Sequence, residues 1–158
     1  MRVNGDRGTR PLECINPPAD RWIVRWDFRD EESGVSYEEQ VIDHRPTLDE
    51  IRAVIEAAVN VATEETIRSG YVWRDIPVWL SSENQMNYKI AYDLAVQTGG
   101  ASMPVTFKFG AEEAVYHTFE TVDEFTDFYT GVARHIRDTV AEGWRQKDGL
   151  DLSLYVGQ

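Results

Sequence analysis

Three histidines and one cysteine are the side chains here most able to ligate a metal or act as nucleophile or base, and their spacing decides what they can do. His44 precedes Pro46 at the end of an extended segment, His117 falls within another, and His135 stands three residues before Asp138 on a helical pattern. Metal sites draw on spacings such as His-x-x-x-His or Cys-x-x-Cys, and neither occurs. The His135/Asp138 pair reads as a surface contact. Cys14 has no helix start or cationic neighbour close in sequence to hold it as a thiolate. Gly99-Gly100 is not followed by the Lys-Ser/Thr of a phosphate loop and reads as a helix stop. Among the acidic clusters, Asp30 to Glu32, Glu38-Glu39, Glu64-Glu65, Glu112-Glu113 and Asp123 to Asp127, only Asp30 to Gly34 approaches a calcium loop. It reads as a solvated turn. Asp123-Glu124 is explained by the dipole of the helix it opens. The sequence thus predicts no catalytic, cofactor-binding or metal-ligating residues and no enzyme. A small hydrolase or carbohydrate-processing enzyme is a further reading: two carboxylates flanking an aromatic cleft would serve it, but the sequence alone does not place them at the required separation.

Binding chemistry has more material. Five Trp and seven Tyr in 158 residues exceed what a core of this size needs, and surplus aromatics anchor protein interfaces. Trp22, Trp26 and Phe28 fall on one face of an alternating segment, with Tyr37 on the returning one, and the preceding stretch supplies Arg7 and Arg10. These six are the candidate protein interface. Trp73 and Trp79 are expected to cover the second helix instead. The formal charge of −12 disfavours nucleic acid and anionic membranes, whose affinity rests on Lys and Arg. No apolar run of about eighteen residues predicts a membrane span, and no secretion signal is read. A lone cysteine demands no oxidising compartment.

The elements that would position these residues follow from periodicity. Residues 1–20, with Gly5, Gly8, Pro11, Pro17 and Pro18, read as an extended arm. Residues 21–46 read as a β-hairpin around the turn Asp30 to Gly34. The remainder, 47–158, reads as one α+β domain. There Thr47 with Glu50 opens a helix whose buried side carries Leu48, Ile51, Ile55, Ala58, Val59 and Ala62, and Gly70 closes it. Tyr71-Val72-Trp73 and Val78-Trp79-Leu80 form a hairpin around Arg74 to Pro77. Ser81 or Ser82 caps a second helix, with Gln85 at box spacing and Met86, Ile90 and Leu94 as its core stripe. Pro104 to Gly110 and Ala114 to Phe119 form a third hairpin. Thr121 with Glu124 opens a third helix reaching about Lys147, its apolar side running from Phe125 through Phe128, Val132 and Ile136 to Trp144. The fold class is α+β: three helices packed against small antiparallel β-hairpins, with an extended N-terminal arm.

Gly70 to Trp73, Val78 to Ser81, Asn84-Gln85, Asn87-Tyr88 and Ala91 resemble the signature of a family of unknown function found in short and tail-fibre-associated proteins of tailed phages and prophages. Ala133, His135, Gly143-Trp144, Lys147 and Leu150-Asp151 resemble its downstream half. The resemblance covers roughly Thr47 to Asp151 and leaves Trp22 and Trp26 outside. It implies a phage or prophage structural context and brings no catalytic residues. Together with the aromatic hairpin and the basic arm, this reads as a non-enzymatic virion structural protein that assembles with other phage structural proteins or with copies of itself, a homo-oligomer being expected from virion symmetry. The implied location is the host cytoplasm during assembly and then the tail or fibre region of the virion. A transient tail or fibre assembly chaperone and a carbohydrate-binding adhesin module are the alternatives.

Overall fold

The computed structural model describes residues 1–157, and the fold is α+β. Contacts divide the chain into two units, one of Met1–Val59 with the chain from Gln146 on, the other of Asn60–Arg145. The boundaries fall inside the first helix and near the end of the third. This replaces the expected division at 20 and 46, because the stretch after the last helix joins the N-terminal strands.

The first unit is built on a four-stranded antiparallel sheet, ordered β1, β4, β3, β2. Its centre is the hairpin of β3 (Arg21–Glu31) and β4 (Gly34–Ile42), in register Trp22 to Ile42 and Trp26 to Glu38. The expected arm is not loose: β1 (Arg2–Gly5) pairs with β4 and β2 (Leu12–Asn16) with β3. Part of its charge docks within the same unit. The N-terminal ammonium reaches Glu38 at 2.8 Å, and Arg2 pairs with Asp27 and donates to the Ser36 hydroxyl at 2.9 Å.

One face of β3 is core. Leu12, Val24 and Trp26 pack with Ile51, Ile55 and Val59 from α1 (Leu48–Ser69), and Tyr155 joins them from a short 3-10 turn, Leu152–Tyr155. The Tyr155 hydroxyl donates to the Arg25 carbonyl at 2.8 Å, and burial pushes its pKa up to about 12. The start of α1 is the expected capping box: Thr47 N–H donates to the Glu50 carboxylate at 2.7 Å, and Glu50 N–H to the Thr47 hydroxyl at 3.2 Å. Leu48, expected on the buried side, is 40% exposed.

The second unit has an aromatic core. Hairpin β5 (Tyr71–Trp73) and β6 (Ile76–Val78) turns tightly at Arg74 and Asp75, both at positive φ (48° and 65°), as a two-residue primed turn requires. β6 therefore starts at Ile76, two residues earlier than the alternation suggests. Hairpin β7 (Val105–Lys108) and β8 (Tyr116–Phe119) supplies Phe107 and Phe119. α3 (Val122–Asp148) contributes Phe125, Phe128 and Val132. Phe128 stacks on Phe109, their centroids 5.2 Å apart, and meets Trp73 and Tyr88 edge-on. Such offset and edge-on pairs add to what area burial provides. Glu124 N–H donates to the Thr121 hydroxyl at 3.2 Å, so the third predicted helix start is capped by Thr121, but the reciprocal half of the expected box goes to Glu120, whose N–H donates to Glu124 at 3.4 Å.

α2 (Ser82–Gln97) is capped by Ser81, whose hydroxyl accepts from Asn84 N–H, and Gln85 instead donates its side-chain amide to the Leu80 carbonyl. Its buried side is Tyr88, Ala91, Tyr92 and Ala95. Met86, Ile90 and Leu94, expected as the core stripe, face outward at 56%, 58% and 49% exposure. The helix carries two apolar stripes, and the one with two aromatic rings and two alanines goes in. Rings bury more area than Met or Leu, and alanines let the helix approach closely. Tyr92 stacks on Tyr129 at 4.6 Å, and Tyr88 meets Phe107 edge-on at 4.8 Å. Trp144, expected inside, is 60% exposed.

Candidate interaction surface

The six sequence-predicted interface residues do not form one patch. Trp26 and Tyr37 are buried, at 9% and 5% exposure, which corrects their reading as contact anchors. Trp22 is half-buried against the same core as Trp26, its indole N–H donating to Asp20 at 2.8 Å and its ring covered by the Arg45 guanidinium at 5.0 Å. Phe28 leaves the face of Trp22 and Trp26 altogether. A bulge between Trp26 and Arg29, with Asp27 at φ 52°, reverses the alternation and sets Phe28 against Tyr37 at 5.2 Å. Arg7 and Arg10 are exposed in the β1–β2 connection.

Sequence reasoning also missed a buried cation. Arg25 lies beneath the β1–β2 connection with 9% exposure, donating to Glu13 at 2.7 Å, to Glu39 at 3.3 Å and to the Arg10 carbonyl at 3.0 Å. Burial works against its charge, but the bonds to Glu13 and Glu39 outweigh this and hold its pKa above the ordinary value. Its role is to pin that connection onto the sheet; the alternation of β3 places it on the face opposite Val24 and Trp26, so the period gave no sign that it would be covered.

Each histidine is absorbed into a structural contact. His44 meets Glu50 at 2.9 Å at the start of α1. His135 Nε2 lies 3.0 Å and 3.2 Å from the carbonyls of Thr66 and Ile67, which can only accept, so Nε2 carries the proton and caps the last turn of α1. His117 is the most elaborate case. Glu124 Oε1 accepts from His117 at 3.0 Å and from Arg74 at 3.2 Å. Arg74 lies over the Trp73 ring at 4.3 Å, and Trp73 Nε1 donates to Asp127 at 3.1 Å. The Glu124 carboxylate is thus shared between two donors and ties both hairpins to the first turns of α3. This is a brace between the hairpins and α3. Among the described residues no group of three His, Cys, Asp or Glu side chains could hold a metal ion, and no helix is long and apolar enough to cross a membrane.

What the second unit offers is surface. Met86, Ile90 and Leu94 follow one another at four-residue steps along the outer side of α2, so they form a continuous ridge one turn apart. Lys89 and Asp93 flank the ridge, paired at 2.6 Å, and this bond holds the Lys89 ammonium above its ordinary pKa. Beside that flank runs a groove of about 480 Å³ between α2 and α3, floored by Tyr129, Val132, Ala133 and Ile136. The ridge was legible as apolar periodicity; which side it faced was not. Comparison with family models, curated proteins and solved structures finds no match for the chain.

Proposed function

We propose that this chain is a non-enzymatic assembly protein of a tailed phage or prophage, tail- or fibre-associated, that works through protein–protein contact. The observation that carries the reading is the outer face of α2, where three large apolar side chains in series each expose about half their surface. Single exposed apolar residues are ordinary on a monomer, whereas a contiguous ridge beside an apolar groove is what a docking partner covers. The phage context rests on the resemblance of Thr47 to Asp151 to the tail-associated family. The titratable groups add to it, since the histidines and Glu124 are engaged in holding elements together.

Mass spectrometry of gradient-purified particles from the phage or induced prophage tests the proposal. The chain is expected in fixed ratio to tail or fibre proteins. Its absence from particles, together with no tail or fibre protein bound to it in the lysate, would overturn the reading.

A further inference from the structure

The outer face of α2 is arranged symmetrically about one residue. Around Ile90, Met86 and Leu94 stand four residues to either side, and Glu83 and Gln97 seven to either side. At 3.6 residues per turn these five share the face opposite the buried line of Tyr88 and Ala95. Lys89 and Asp93 both lie on one flank of it.

We propose that this face pairs with the same face of a second copy of the chain, antiparallel, about a twofold axis at Ile90. The inference rests on the assembly reading above and names its first partner. In that pairing Ile90 meets its own counterpart, Met86 meets Leu94, and the Glu83 carboxylate meets the Gln97 amide. The twofold axis brings identical flanks together. Lys89 of one copy then lies two residues, about 3 Å of helix rise, from Asp93 of the other, and the pair forms twice. A parallel pairing sets the Lys89/Asp93 flank against the Asn87 flank and forms neither pair. A partner recognised by opposite net charge calls for a face of one sign. This face alternates signs and complements itself.

The seam of one helix is small beside ordinary interfaces, so the mass of the full chain has to be followed by sedimentation over about 1–500 µM. The intact chain is expected to pass from monomer to dimer in that range. Ile90→Glu is expected to remain monomeric with an unchanged circular dichroism spectrum and melting curve, because Ile90 lies outside the core. Lys89→Glu and Asp93→Lys are each expected to weaken the dimer about tenfold or more, as two rim pairs turn repulsive. Mixing these two variants should restore it, since each supplies the charge the other lacks while the repulsion within each helix is unchanged.

A monomer throughout the range would overturn the pairing, as would a dimer indifferent to Ile90→Glu or variants that fail to recover on mixing. A monomeric chain still found in purified particles sinks the pairing and leaves the assembly reading standing. A dimer absent from particles and bound to no tail protein does the reverse.

Discussion

The hydroxyl of Tyr71 occupies the place where a side chain at Gly131 would begin. A Cβ added at Gly131 falls 2.1 Å from that oxygen, which donates to the Phe128 carbonyl at 3.1 Å. The contact fastens the first strand of the central hairpin to the middle of α3. Burial first, and Asp127 second, push the Tyr71 pKa up to about 12, so the ring stays neutral as a donor.

Gly131→Ala should therefore destabilise, although alanine is the better helix former. Propensity offers about 1 kcal/mol, while overpacking costs about 1–3 and the displaced hydroxyl leaves a buried bond unmade. A net loss of about 1–3 kcal/mol in urea unfolding is expected. Equal or greater stability than the parent would show that Tyr71 can move aside freely.

Phe128 and Leu94 separate core from surface. Phe128→Ala removes a fully buried ring that touches Trp73, Tyr88, Phe109 and Phe119, and should cost about 3–5 kcal/mol. Leu94→Ala, at 49% exposure, should cost less than about 1 kcal/mol. Comparable losses from the two would return Leu94 to the core and remove the outer ridge.

That pair also marks what the sequence could and could not convey. The starts of α1 and α3 were legible because Thr47 with Glu50 and Thr121 with Glu124 make local bonds, which local spacing encodes. The face of α2 was not, because Met86-Ile90-Leu94 and Tyr88-Tyr92-Ala95 are both apolar at helical spacing and only packing against Phe107 and Phe128 chooses between them. The N-terminal strands were hidden for a related reason. β1 pairs with residues thirty or more positions away, and a short segment rich in Gly and Pro shows no period of its own. The aromatic interface was misread in two ways: Trp26 and Tyr37 went into the core, and Asp27, whose left-handed backbone interrupts the alternation, moved Phe28 off the face of Trp26.

Tyr88→Phe tests a different feature of the core. The Tyr88 hydroxyl is buried with no hydrogen-bond partner among the described residues, and burial pushes its pKa up to about 12. Removing an oxygen that pays desolvation without a bond should leave stability unchanged or raise it by about 1 kcal/mol, read from thermal unfolding. A loss above about 1 kcal/mol would mean that the hydroxyl is satisfied in solution.

The capping box of α1 predicts a pH dependence. The Thr47 N–H, the His44 ring and the Thr47 hydroxyl hold the Glu50 carboxyl below its ordinary value of 4.5. A group depressed in the folded state contributes stability that is fully present above its unfolded value and is lost as pH falls through the folded one. The intact chain should thus be more stable than Glu50→Gln at neutral pH, with the gap closing below about pH 4.5 in a series of melts. A gap that persists unchanged into strong acid would assign the effect to shape rather than charge.

The most direct test of assembly through the outer face of α2 is the amount of chain retained in purified particles, measured by quantitative mass spectrometry for the intact protein and for Ile90→Glu. The intact chain should be present in fixed ratio to tail proteins and the variant depleted, with both equally folded and equally abundant in the lysate. Equal retention of the two, or absence of both, would contradict it.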